Sequence, residues 1–319
     1  VHVVVVGFSY VERKKKYLFE NGQRKEVSHI NAYLIEAPDT FIYSRSKSLC
    51  NVPKIGIGNK PIDGGNYLFE KEEMEEFIKR EPKSAALFHP WFGSVEFIHQ
   101  KPRYCLWLGD SSPKEIKEMP LCYKRVENVR NVRLASTSAG TRKLADTPTR
   151  FHVENMPDGD SIIVPSVSSE KRKYVPMGFI PKGTFASNLV LLIPSATLYH
   201  FGILESNVHM AWMRAVCGRL KSDYRYSKDV VYNNFPWPTP TAEQKAKIEQ
   251  SAQAILDARA LYPDSSLADL YDPTLMPKEL LQAHRQNDRA VMAAYGFSTK
   301  MAESECVAEL FKRYAEMVE

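Results

Sequence analysis

Apolar residues alternate with charged ones in short stretches over the first thirty positions. An apolar run from Val3 to Phe8 is followed by the charged stretch Arg13-Lys14-Lys15-Lys16, then by Tyr17 to Phe19 and Asn21-Gly22. Short apolar runs bounded by turn residues predict an edge hairpin over residues 1–30, with the lysines at its solvated tip. From Asn31 to Pro238 the pattern mixes short apolar runs with helical stretches and frequent Pro and Gly. Met74, Phe77 and Ile78 share one face of a helix over Glu70–Arg80, and Ser112-Pro113 reads as the cap and first turn of another. Met119–Leu134 places Leu121, Val126, Val129 and Val132 among Arg125, Arg130 and Arg133, which predicts a helix with one basic face. Strands are expected at Tyr104–Leu108, Ser161–Pro165, Lys173–Phe179 and Leu189–Pro194.

The texture changes after Pro238. Thr241 with Gln244 forms a capping box for a helix running to Leu261, Pro277 opens a second helix closed by Gly296, and Glu303–Val318 carries Val307, Leu310, Phe311 and Tyr314 along one stripe. The expected class is α+β: a mixed α/β domain over residues 31–238 followed by a small all-α domain over residues 239–319, with residues 1–30 as the last strands of a preceding domain.

The length of 319 residues suits two domains, and 44% hydrophobic with 25% charged residues is ordinary for a globular protein. No apolar run approaches the roughly 20 residues that span a bilayer. VHVVVVGF lacks a basic leader and a cleavage site, so it reads as a strand rather than a signal peptide, and the missing initiator Met suggests a fragment of a longer protein. Five scattered cysteines without ligand spacing fit a reducing cytoplasm. The net charge of +5 is uneven: residues 239–319 hold 9 Lys+Arg against 13 Asp+Glu, leaving 34 against 25 for residues 1–238. A polyanion is therefore expected to meet the first part.

Catalytic signatures are missing. Asp272-Pro273 is followed by Thr274 and so is not the Asn/Asp-Pro-Pro-aromatic loop that holds a flipped base; Gly56-Ile57-Gly58 lacks a third glycine; Phe92-Gly93-Ser94 is not a nucleophile elbow. His200 and His209 lack a Cys or carboxylate partner and read as core histidines.

Three stretches carry binding chemistry. Cys217–Pro238 sets Arg219, Lys221 and Arg225 among Tyr224, Tyr226, Tyr232, Phe235 and Trp237. That composition suits phosphates and unstacked bases, and equally a packed corner with guanidinium on aromatic rings. In Val167–Tyr174, Glu170 and Arg172 flank one residue and would project to the same side of an extended segment. Arg can donate twice to guanine while Glu accepts from the cytosine amino group; a surface salt bridge is the competing reading. Arg133–Lys143 reads as a loop of hydroxyl residues with Arg142 and Lys143, able to meet phosphates or merely to cover a turn.

The strings SRSKSLCNVPK (44–54), RLAS and TRKLADTPT (133–149), VSSEKRKYVPMGF (167–179), IPSATLYHFGIL (193–204), HMAWMRAVCGRLKSDYRYS (209–227) and VYNNFPWP (231–238) resemble the C-terminal half of MmeI-like DNA methyltransferases, which are related to type IIL restriction-modification enzymes. SSLADLYDP (265–273), MPKELLQAH (276–284) and NDRAV (287–291) resemble the same family's helical C-terminal domain.

The resemblance implies a target recognition domain and a closing helical domain, with VHVVVVGF as a late strand of the catalytic domain. It implies double-stranded DNA and the missing N-terminal methyltransferase domain as partners. No cofactor is expected in this stretch; S-adenosylmethionine would be used by the full-length protein, for transfer to adenine N6, and the fragment alone would be inactive. Glu170 and Arg172 match the family's base-reading Glu-x-Arg pair, with Ser136, Thr137 and Ser138 as further base-reading candidates. Arg142, Lys143, Lys171 and Lys173 would hold phosphates, and Arg219, Lys221 and Arg225 would contact phosphates or dock domains. The alternative, from a different class, is a non-enzymatic scaffold of a phage-defence complex.

Overall fold

The structure, a computed structural model, describes residues 4–11, 13–20 and 22–318. Two hydrophobic cores organise it. The first surrounds a four-stranded sheet in the order Phe185–Ala186, Phe88–Phe92, Arg103–Leu106, Leu68–Phe69. The helices Lys71–Arg80, Pro113–Lys117 and Pro120–Leu134 cover this sheet, and Tyr67, Trp91, Trp107, Val129 and Phe151 fill the space between. The second core is larger. Its sheet runs Gly56–Ile57, Val190–Pro194, Ser161–Pro165, Gly178–Ile180.

Every residue of Ser161–Pro165 is buried, as a strand covered on both faces requires. Ile162, Ile163 and Val164 are fully sequestered, each contributing about 1.5–3 kcal/mol by removal from water. The same core takes in the helices Leu198–Leu204, Asn207–Val216, Ala242–Ala260, Lys278–Tyr295 and Glu303–Val318. Ala242–Ala260 packs on Lys278–Tyr295 and on Leu198–Leu204, while Glu303–Val318 packs on Asn207–Val216. The acidic tail therefore shares its interior with the segment before Pro238.

Local chemistry explains the helix ends. Thr241 accepts from the Gln244 amide while the Gln244 side chain accepts from the Thr241 amide, and Gly296 closes Lys278–Tyr295 at φ +70°. Ser206 caps Asn207–Val216 through the His209 amide. Neither that helix nor Leu198–Leu204 follows from the strand-dominated reading of this stretch; the cap at Ser206 followed by Val208, Ala211, Trp212 and Val216 is the signal that identifies it.

Several expectations are corrected. The first hairpin pairs Lys16–Glu20 with Gln23–Val27, residues 4–8 belong to no strand, and the lysine run leads into the first strand instead of capping the hairpin. Val4, Val5, Val6 and Phe8 are exposed, because the chain turns back at Gly22 (φ +76°) and supplies the earlier run with no partner. Val3 and Asn21 lie outside the described residues. Tyr104–Leu108 forms its strand only as Arg103–Leu106, and Lys173–Phe179 only from Gly178 onward. Residues 139–143 form a helical turn and not a loop.

The helix Pro120–Leu134 lacks a basic face. Arg133 is fully buried, and its guanidinium donates to five carbonyls, those of Pro61, Ile62, Leu144, Thr147 and Arg150, at 2.7–2.9 Å. Arg125 lies over the Phe69 ring at 4.7 Å. Of the three arginines only Arg130 faces solvent.

Candidate nucleic-acid interface

The second core carries a three-stranded edge, Gly218–Leu220, Asp223–Arg225, Val167–Ser168, in that order. Tyr224 faces Ser168 and Arg225 faces Val167 across the antiparallel pair. Directly after Ser168 the chain turns. The Arg172 amide donates to the Ser169 carbonyl at 3.2 Å, the Lys171 amide to Ser169 Oγ at 3.3 Å, and the Glu170 amide to Asp223 Oδ1 at 3.3 Å. Glu170 and Arg172 therefore project from a tight turn and not from an extended segment; the Asp223 carboxylate and the Ser169 carbonyl draw the backbone round.

Both side chains are half-buried, whereas Lys171 and Lys173 are exposed. Burial holds the Arg172 guanidinium below the ordinary arginine range, against the attraction of Asp223 and Asp272. An arginine held part-way out of water, with carboxylates behind it, loses less conformational freedom on meeting a base edge than a fully solvated one.

The adjoining hairpin supplies more cations. Arg219 stacks on Tyr224 at 4.0 Å and donates to the Ser222 carbonyl at 3.0 Å, Lys221 holds the tip at φ +56°, and Arg225 is exposed. Lys173 places its ammonium 5.2 Å from the Tyr174 ring. Glu170, Lys171, Arg172, Lys173, Arg219, Lys221 and Arg225 thus belong to one edge.

Ser136, Thr137, Ser138, Arg142 and Lys143 are built on the first core instead, where Ala139–Lys143 packs against Pro120–Leu134. Ser138 Oγ accepts from the Thr141 amide at 3.4 Å and Ser136 Oγ from the Ser138 amide at 3.2 Å. Arg142 folds back to donate to the Ser136 and Thr137 carbonyls at 2.8 and 2.9 Å. This arginine spends part of its fork on its own turn; Lys143 is exposed.

The aromatic residues beyond the hairpin are frame, not platform. Tyr224, Tyr226, Tyr232, Phe235 and Trp237 are all buried. Tyr226 meets His209 Nε2 at 2.9 Å and Tyr232 donates to the Pro53 carbonyl at 2.7 Å. Asn233 donates to the Arg45 carbonyl and Asn234 to that of Tyr43, while the amides of Arg45 and Leu49 donate to the carbonyls of Asp229 and Asn233. Burial lowers the fully buried His209 to about 3, while partial burial and the nearby Lys245 lower His200, half-buried at the start of Leu198–Leu204, to about 4; both are neutral.

Among the described residues no group of His, Cys, Asp and Glu could hold a metal ion, and no helix is long and apolar enough to cross a membrane. Gly58 is required by packing, since a Cβ there would fall 2.3 Å from the Ser187 carbonyl oxygen. Asp272 turns its carboxylate onto the amides of Thr274 and Leu275, a local turn.

Residues 36–239 match the family model described as MmeI, target recognition domain, and residues 240–319 match MmeI, C-terminal domain. The chain belongs to the MmeI family. The DNA methyltransferase A of Bacillus subtilis (strain 168) is 42% identical over 320 residues, which is 100% of this chain and 36% of that protein. The structure of the Type IIL restriction-modification enzyme MmeI in complex with DNA superposes with a TM-score of 0.90 at 41% identity, over 96% of this chain and 42% of that one. The chain spans well under half the length of either relative. Its α+β class, a mixed domain followed by helices, is that of the MmeI structure.

Within this MmeI-family frame, sequence reasoning missed Asp223, Tyr174, Arg214 and Asp288, which shape the edge from beneath. Tyr174 meets Asp288 and Arg214 meets Glu303 across more than eighty residues, a separation that leaves no local pattern.

Proposed function

We propose that this chain reads DNA sequence for a methyltransferase acting on adenine N6, with the half-buried Glu170 and Arg172 turn as a base-reading element. The observation that carries the reading is the edge itself: one Glu and one Arg two residues apart, ringed by Lys171, Lys173, Arg219, Lys221 and Arg225, on a fold that superposes at 0.90 on an enzyme solved with DNA. Arg172 would donate to a guanine and Glu170 would accept from the paired cytosine. The surrounding cations would neutralise phosphates and set register without reading sequence. Ser136, Thr137 and Ser138 form a second reading segment, with Arg142 and Lys143 on the backbone beside it. Residues 31–238 form the recognition domain and residues 239–319 the helical closing domain; residues 1–30 would belong to the preceding catalytic domain. S-adenosylmethionine would supply the methyl group in the parent enzyme, bound by the preceding catalytic domain.

In the intact parent enzyme, Arg172→Ala is expected to relax preference at one base pair by about 1–3 kcal/mol, while Lys173→Ala weakens all sequences alike and flattens the salt dependence. Mapping methylated sites genome-wide reads the first effect and a salt titration of duplex binding reads the second. An unaltered site preference in the Arg172 variant removes it from base readout, and binding indifferent to salt favours the scaffold alternative.

A further inference from the structure

The segment following the reading turn is irregular, yet Tyr174, Val175 and Met177 in it are buried and hydrogen-bonded to distant parts of the chain. Residues 173–177 run without strand pairing, and side chains from distant helices hold them. The Tyr174 hydroxyl donates to Asp288 Oδ2 at 2.6 Å, and Asp288 Oδ1 accepts the Asn207 amide at 2.8 Å. The Tyr174 ring lies on His284, 4.0 Å between centroids. The Lys173 carbonyl accepts from Arg214 Nη1 at 3.1 Å, and Arg214 is gripped by both oxygens of Glu303 at 2.7 and 2.8 Å.

Further along, the Met177 amide donates to Glu205 Oε1 at 2.7 Å and its carbonyl accepts from Arg259 Nη1 at 2.6 Å. Arg259 joins Glu205 at 3.0 Å and also donates to the Tyr271 hydroxyl, which meets His284 Nε2 at 2.7 Å. Asp288, His284, Glu303 and Arg259 come from the C-terminal helices, and Tyr271 from the C-terminal end of the short helix Leu267–Leu270 between them. They close on the chain from Lys173, one residue after Arg172.

We infer that the C-terminal helices position the base-reading turn, with Tyr174–Asp288 and Arg214–Glu303 as positioning pairs that decide base preference without touching DNA. The inference rests on the assignment of Arg172 as a base reader. A bidentate arginine contact discriminates only while the guanidinium keeps its angle to the base edge. The backbone of the turn is held by bonds of 3.2–3.3 Å, among them one to the neighbouring hairpin, and the two clamps take hold of the chain directly after it. Tyr174→Phe removes one hydroxyl and keeps the ring on His284. Glu303→Gln loosens Arg214 at a side chain that is 49% exposed, so folding tolerates it.

The test maps methylated sites for the intact parent enzyme carrying Tyr174→Phe, Glu303→Gln, Arg172→Ala or Tyr295→Phe. Tyr295 is a matched control, since its buried hydroxyl donates to the Pro236 carbonyl at 2.8 Å, away from the turn. The expected result is relaxation on the order of three- to tenfold, the scale of one pairwise coupling, for Tyr174→Phe and Glu303→Gln at the base pair that Arg172→Ala relaxes, with Tyr295→Phe unchanged. Unchanged preference in both clamp variants while Arg172→Ala relaxes its base pair overturns the positioning role and leaves the reading turn intact. Equal relaxation by Tyr295→Phe overturns it as general softening. If Arg172→Ala relaxes nothing, the base-reading assignment falls and the inference with it.

Discussion

The two candidate DNA-facing clusters rest on different foundations. Beneath Ser136–Lys143 lies Arg133, a buried guanidinium whose five N–H groups all meet backbone carbonyls and no carboxylate. Burial holds it below the ordinary arginine range, partly offset by Tyr67 and Asp63. Behind the segment that follows Glu170–Lys173 lies Arg259, which donates to the Met177 carbonyl and is also buried, but paired with Glu205 and Tyr271. Burial would lower it, and those partners outweigh the effect and raise it. One arginine gathers the segments 61–62 and 144–150 through hydrogen bonds to their carbonyls; the other is the hub of an ionisable network. The second foundation therefore carries a carboxylate, Glu205, whose proton the fold itself shifts.

The largest expected effect breaks the first foundation. Lysine offers three donors where Arg133 supplies five, so Arg133→Lys orphans carbonyls from the segments 61–62 and 144–150 and is expected to cost about 3 kcal/mol or more. Urea unfolding measures this, and a cost below about 1 kcal/mol would show that these carbonyls find other partners.

The next effect separates the foundations by pH. Burial pushes Glu205 up to about 7, against Arg259 and the Met177 amide, and its Oε2 has no hydrogen-bond partner among the described residues. The folded protein then holds this proton more tightly than the unfolded chain, whose value is 4.5. The resulting stability is fully present below 4.5 and is lost as pH rises through about 7. Glu205→Gln should remove that slope, together with the buried countercharge of Arg259. Unfolding curves of the two proteins between about pH 4.5 and 8 check it, and parallel curves would refute it. Asp288 is also raised by burial, despite the bonds from Tyr174 and Asn207, and adds a slope of the same sign.

The smallest effect concerns a cap. Ser138→Ala removes the N-cap acceptor for the Thr141 amide of the turn Ala139–Lys143 and is expected to cost about 1 kcal/mol. Thermal unfolding reads it, and a loss far above that size would give Ser138 a role beyond capping.

Residues with local signatures were readable from sequence. Thr241 with Gln244, Pro277 and Gly296 mark helix ends through neighbours three or four positions away, and Ser161–Pro165 announces its burial by an unbroken apolar run. The family strings were readable too, although much of VYNNFPWP serves to bind the frame. The failures share a cause: Arg133 looked like surface charge because the carbonyls that swallow it belong to residues up to 72 positions away. Residues 173–177 read as strand because Tyr174 and Val175 favour one, but helices 35 to 114 residues further on hold them instead. The Glu170 and Arg172 pair was readable as chemistry, while its turn depends on Asp223 from another strand.

The ties between Tyr43–Pro53 and Asp229–Asn234 bring the entrance and exit of a long excursion of the chain to one place. The polypeptide leaves and returns through a single doorway. Residues can then be inserted into or deleted from surface loops of the excursion without displacing either doorpost. Such a layout lets a reader of sequence change what it reads while the body it is mounted on stays still.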